Sequence, residues 1–138
     1  MLRLVYALSI GTWLGSAVTL TFLVTPTAHG TFGAPDARRF LRPLFPRYYA
    51  LGIGCGFAAL ATVTLGKQSL ASEQVYGLSV PAAIALLAAV IGRQVILPRL
   101  RKLDGSEERF ARLHRIAAML NTTVLGALVL AMAAAVAR

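Results

Sequence analysis

Two histidines and an asparagine have the types and spacing best suited to chemistry: His29, His114 and Asn121. His114 and Asn121 are two helical turns apart, so on a helix they share one face, roughly 10 Å from each other along the axis. Imidazole can ligate a metal or donate to an anion, and a carboxamide both donates and accepts. Arg93 and Gln94 fall near the same end of a third segment. These five residues form a candidate polar pocket. Cys55, His29 and His114, with Met119 as a further option, are the candidate ligands for a soft metal. Metal spacings such as HxxxH, CxxC or HExxH are absent from the sequence. The five acids are Asp36, Glu73, Asp104, Glu107 and Glu108, and none falls within an apolar run. That excludes a Ser/His/Asp arrangement and a carboxylate proton relay in a membrane interior. No enzymatic activity is expected.

Each of these residues also has a plainer role. Asn121 can hydrogen-bond between helices. Arg93 can snorkel to headgroups, and His114 can sit solvated in a basic interfacial turn. Cys55 can pack as a small apolar residue. Thr12, Thr19, Thr62, Thr122 and Thr123 can bond their own helix backbones.

The elements that must position them are four apolar runs. They cover about residues 2–26, 48–65, 79–97 and 113–136 in a single transmembrane domain over 1–138. Each approaches or exceeds the roughly 20 residues needed to cross a bilayer core. The first exceeds the apolar segment of a signal peptide. With 57% hydrophobic residues and a mean hydropathy of +0.70, the chain is too apolar for an ordinary soluble domain of its size. The fold class read here is all-α: an integral membrane four-helix bundle. Ser79 is the expected N-cap of the third helix, with Pro81 in its first turn and Pro98 at its end. Ser106 is the expected cap of the fourth.

A net charge of +9 and a pI near 11.1 would suggest nucleic acid in a soluble protein. Here the cations cluster between apolar runs, and nucleic acid is not an expected partner. Arg38, Arg39, Arg42, Arg47, Arg93, Arg99, Arg101, Lys102, Arg109, Arg112 and Arg115 lie toward one side. Only Arg3, Lys67 and Arg138 lie toward the other. Eleven against three places both basic connections in the cytoplasm and both termini on the non-cytoplasmic side. Tyr48 and Tyr49 are expected to mark the inner interface, Tyr6 and Tyr76 the outer one. Trp13, near mid-span, is expected to face the bundle.

The segment at about 35–45 mixes Phe40, Leu41, Leu44 and Phe45 with arginines and reads as an amphipathic interfacial helix. Its Arg38, Arg39, Arg42 and Arg47 suit lipid headgroups of an anionic inner leaflet. Small residues recur at four-residue spacing in every span: Ala7, Gly11, Gly15 and Thr19; Gly52 and Gly56; Ala85 and Ala89, with Ala88 and Gly92; Ala118, Thr122 and Gly126. Such stripes allow the close approach that helices in lipid require. They suit a homo-oligomer or a partner membrane protein. No cofactor is expected; two axial histidines on a haem iron are the alternative.

The chain resembles the transmembrane protein 205-like family. The resemblance rests on Pro26, His29 and Thr31-Phe32-Gly33, on Leu44-Phe45-Pro46 with Tyr48-Tyr49, and on Gly54-Cys55-Gly56-Phe57. Pro98-Arg99 and the His114–Asn121 pair complete it. It runs in order along essentially the whole chain. Ala117-Ala118 depart from it, since serine is expected there, and a hydroxyl is then missing from any shared pocket. The resemblance implies a four-span membrane protein of poorly characterised function. The association of a eukaryotic member with resistance to platinum drugs implies binding or export of a small molecule or metal complex. A structural or assembly subunit is the alternative. The Ala- and Arg-rich composition suggests a bacterial inner membrane.

Overall fold

A chain lying in lipid has to satisfy its backbone amides internally, and a helix does so within one segment. The computed structural model describes residues 1–102 and 107–137, excluding the side chain of Glu107. Among these residues there is no strand. We number the helices α1 (Leu2–Phe32), α2 (Ala34–Leu41), α3 (Leu44–Gly66), α4 (Ser72–Lys102) and α5 (Glu107–Ala137). Four segments are long and apolar enough to cross a membrane, and α2 forms the start of the second, Ala34–Ser69. The four form an up-and-down ring in which α1 packs on α3 and α5, and α4 packs on the same two. The all-α four-helix reading therefore holds. The expected cap at Ser106 lies outside the described residues.

Two helices run further than expected. Pro26 and Pro98 do not end their spans. Proline lacks an amide proton, and its ring crowds the carbonyl four residues back. In both cases the preceding turn widens. Residues Leu20–Val24 and Gly92–Ile96 are π-helical, with the Thr25 amide bonding the Leu20 carbonyl and the Leu97 amide bonding the Gly92 carbonyl. A π turn ahead of a proline relieves the clash without breaking the helix. α1 then continues to Phe32 and ends at Gly33, whose φ of 77° suits glycine. α4 also begins earlier, at Ser72 rather than Ser79. The Gln74 carboxamide accepts the Ala71 amide at 3.3 Å, as in half of a capping box. Pro81 thus lies inside the helix, and Ser79 bonds back to the Val75 carbonyl.

The interior is a seam of large residues against small ones. On α1, Tyr6, Ile10, Trp13 and Ala17 recur every three or four residues and are buried. Trp13 faces the bundle as expected, lying across Gly52 and Gly56 of α3. A Cβ at Gly52 would come within 2.5 Å of its Nε1. Tyr49 fills a similar notch at Gly92, where a Cβ would lie 2.7 Å from the ring. Ala82, Ala85, Ala88 and Ala89 of α4 and Val124, Ala127, Leu128 and Ala131 of α5 complete the core. The outer surface is apolar on every span, with Phe22, Leu23, Phe57, Leu65, Leu87, Met119 and Leu130 all exposed. An apolar band this extensive suits lipid rather than water.

The small-residue stripes divide. Those of α3 and α4 face inward, at Gly52, Gly56, Ala85, Ala89 and Gly92. That of α5 does not: Ala118, Thr122 and Gly126 are all exposed. Thr62, Thr122 and Thr123 bond their own helix carbonyls, as expected. The tyrosines differ from the belt reading. Tyr76 is exposed, but Tyr6, Tyr48 and Tyr49 are buried.

Candidate functional site

The basic connections bring three elements together at one end of the bundle. α2 is amphipathic, as its sequence suggests, and folds back on the end of α1. Ala37 and Leu41 bury against Ala28, with Val24, Leu44 and Phe45 around them. Phe40 points outward instead and meets the Phe32 ring at 5.5 Å. This packing fixes Arg38 over Phe110 of α5, its guanidinium 4.2 Å from the ring centroid in a cation–π contact. One turn on, His114 lies parallel to Phe110, centroids 6.1 Å apart. His29 and Arg38 lie within electrostatic reach of the His114 imidazole. His29, Arg38 and His114, from α1, α2 and α5, thus share one end of the bundle, bridged by Phe110 between the last two.

His29 is oriented by its own helix. Its Nδ1 lies 2.8 Å from the Thr25 carbonyl oxygen. A carbonyl only accepts, so Nδ1 carries a proton and donates it to Thr25, leaving Nε2 to face away from its own helix carbonyl. In its neutral form an imidazole held this way presents Nε2 to a metal or a proton. Among the described residues, no carboxylate pairs with His29, Arg38 or His114. The surrounding cations give this end a positive potential that favours anions over bare cations. Arg39, Arg42 and Arg47, the other expected headgroup contacts, are exposed along this end.

The other pocket residues lie elsewhere. Asn121 faces the interior, where its Nδ2 donates to Thr21 Oγ1 at 2.8 Å and its Oδ1 accepts from the Tyr48 hydroxyl at 3.1 Å. This chain of polar groups joins α1, α3 and α5. Asn121 therefore has the interhelical role, and its spacing from His114 does not make the two one site. Arg93 and Gln94 are exposed on the π-helical stretch of α4. Cys55 packs half-buried beside the core, apart from both histidines in sequence and element. No group of three histidine, cysteine or acidic residues placed to hold a metal occurs among the described residues.

Sequence reasoning gave Phe110 and Thr21 no role, and it set Arg38 at lipid headgroups rather than beside His114. Arg38 reads as one of a run of interfacial arginines, and Tyr48 as a belt residue. The signal that could have found Thr21 is its antiparallel register with Asn121, which matches that of His29 with His114.

The fold and this end of it define a multi-pass helical membrane protein with a basic, imidazole-bearing end. More narrowly, the chain belongs to the family described as a domain of unknown function, DUF4149, whose sequence profile matches residues 8–109. The match contains His29 and Arg38 and stops just short of Phe110 and His114. No curated protein and no solved structure matches the chain.

Proposed function

We propose that the protein is a non-enzymatic component of a bacterial inner membrane. In this reading it binds a small anionic solute or metal complex at its arginine-rich end and helps move it or pass it on. That end faces the cytoplasm, and both termini face away from it. One observation carries the proposal: Arg38 of α2 sits over Phe110, on which His114 of α5 stacks, with His29 of α1 within electrostatic reach, and among the described residues no carboxylate pairs with them. The guanidinium supplies anion recognition, and Nε2 of a neutral His29 would supply a ligand to a soft metal. The resemblance to transmembrane protein 205-like proteins adds support, through their link to platinum drugs.

Tetrachloroplatinate is a suitable probe, being both anionic and soft. Its binding is measured by calorimetry on the protein in nanodiscs, in a Cys55→Ala background. His114→Ala and Arg38→Gln should each weaken it about tenfold, the loss of one charge-assisted contact. Helicity and melting should stay as in the parent. Unchanged affinity in both variants rules the site out.

A second reading, as an assembly subunit, is favoured by the exposed stripe of Ala118, Thr122 and Gly126. Small residues in lipid are where helices of neighbouring chains approach most closely.

A further inference from the structure

The opposite end of the bundle holds a feature that the proposed function leaves unused. A cavity of about 210 Å³ opens between α1, α4 and α5, lined by Tyr6, Leu70, Leu78, Ala134 and Ala135 with Arg3 and Glu73. A smaller one of about 80 Å³ adjoins it and shares Arg3, Tyr6, Leu70 and Leu78. The floor is apolar and closed by the Tyr6 hydroxyl, which donates to the Leu78 carbonyl at 2.6 Å. Gly77 forms part of the wall, and a Cβ there would meet nothing within 4 Å.

The two charges are the informative part. Among the described residues, neither Arg3 nor Glu73 has an ionic or hydrogen-bonding side-chain partner. They line one cavity yet do not pair with each other. Glu73 sits in the first turn of α4, where an anion is favoured by the helix dipole. Arg3 sits in the first turn of α1, where a cation is disfavoured by the same effect. A bound anion beside Arg3 would offset that cost. The cavity is also smaller than the roughly 300 Å³ at which drug-sized ligand sites begin. It suits a compact group bearing one charge of each sign over an apolar base.

We propose that this cavity binds a phosphoethanolamine group, with Arg3 on the phosphate and Glu73 on the ammonium. Two sources carry that chemistry: the headgroup of phosphatidylethanolamine and a soluble phosphoethanolamine. The apolar floor and the exposed Leu4 and Tyr76 nearby favour the lipid. An ammonium gives Glu73 hydrogen bonds that a trimethylated choline cannot, and a glycerol headgroup offers no positive charge. The site stands apart from the arginine-rich end and does not depend on its proposed role.

Native mass spectrometry of the full chain in detergent tests it, with phosphatidylethanolamine, phosphatidylcholine and phosphatidylglycerol offered at equal concentration. Ethanolamine lipid should be retained over the other two by about tenfold. Glu73→Gln should erase that preference, and Arg3→Gln should weaken retention of the ethanolamine lipid. Gly77→Leu should fill the cavity and abolish the preference while leaving helicity and melting unchanged; if it misfolds, the two charge variants decide. Soluble glycerophosphoethanolamine forms a second arm. Binding of that compound alone, lost in the same variants, keeps the site and assigns it to a solute. Equal retention of all three lipids with no binding of the soluble compound overturns the proposal. So does a preference that survives both charge variants.

Discussion

At the scale of single residues, the arginine-rich half of the bundle separates two kinds of polar group. His114 is exposed, stacked on Phe110 and within electrostatic reach of His29 and Arg38. Asn121, two turns deeper, is held by Tyr48 and Thr21. Their variants should therefore behave differently. Asn121→Ala leaves a tyrosine hydroxyl and a threonine hydroxyl short of a partner. Hydrogen bonds between helices in lipid average about 0.6 kcal/mol and reach about 1.7 kcal/mol, so a loss of about 1 kcal/mol is expected. Unfolding in mixed detergent measures it, with binding of the anionic probe unaffected. A variant as stable as the parent but unable to bind would return Asn121 to the site. The type of each residue was legible in the sequence, since two imidazoles and one carboxamide stand out in so apolar a chain. Their grouping was not. Helical spacing says which residues share a face of one helix, but the choice between His114 and Asn121 as neighbour of His29 depends on how α1 and α5 align.

At the scale of elements, proline and small residues decided the differences from expectation. Pro98 stops an ordinary α-helix in sequence reasoning, yet the chain passes it by widening one turn, and it does the same before Pro26. That choice reflects the cost of exposing backbone amides in lipid, which no local pattern displays. The small-residue stripes were legible as stripes. Which way each faces was not, because rotation about a helix axis is set by partners such as Trp13 and Tyr49. Two substitutions separate the two uses of glycine. Gly52→Ala drives a methyl into the Trp13 ring and should destabilise the bundle by about 1–3 kcal/mol, as overpacking does. Gly126→Leu points away from the fold and should leave its melting unchanged. If α5 is a contact between copies, it should instead shift the protein toward monomer in native mass spectra of detergent complexes. A parent that is already monomeric, or an oligomer indifferent to Gly126→Leu, removes that role from the α5 face.

At the scale of the whole molecule, α1, α3, α4 and α5 alternate in direction, so both basic connections fall at one end and both termini at the other. The four-span layout was the most legible property of the chain, because apolar runs and cation clusters are long-range patterns that need no contact to read. The ring's order adds what the pattern lacked: α2 tucked under α1 places Arg38 against α5. Everything proposed for the arginine-rich end requires that both basic connections share one side of the membrane. Thiol labelling in sealed vesicles tests this, using Arg39→Cys, Gln68→Cys and Arg101→Cys singly in a Cys55→Ala background with a membrane-impermeant maleimide. The account predicts that Arg39→Cys and Arg101→Cys react only from the cytoplasmic face and Gln68→Cys only from the other. Labelling of Arg39→Cys and Arg101→Cys from opposite faces, or of both from the outer face, would contradict it.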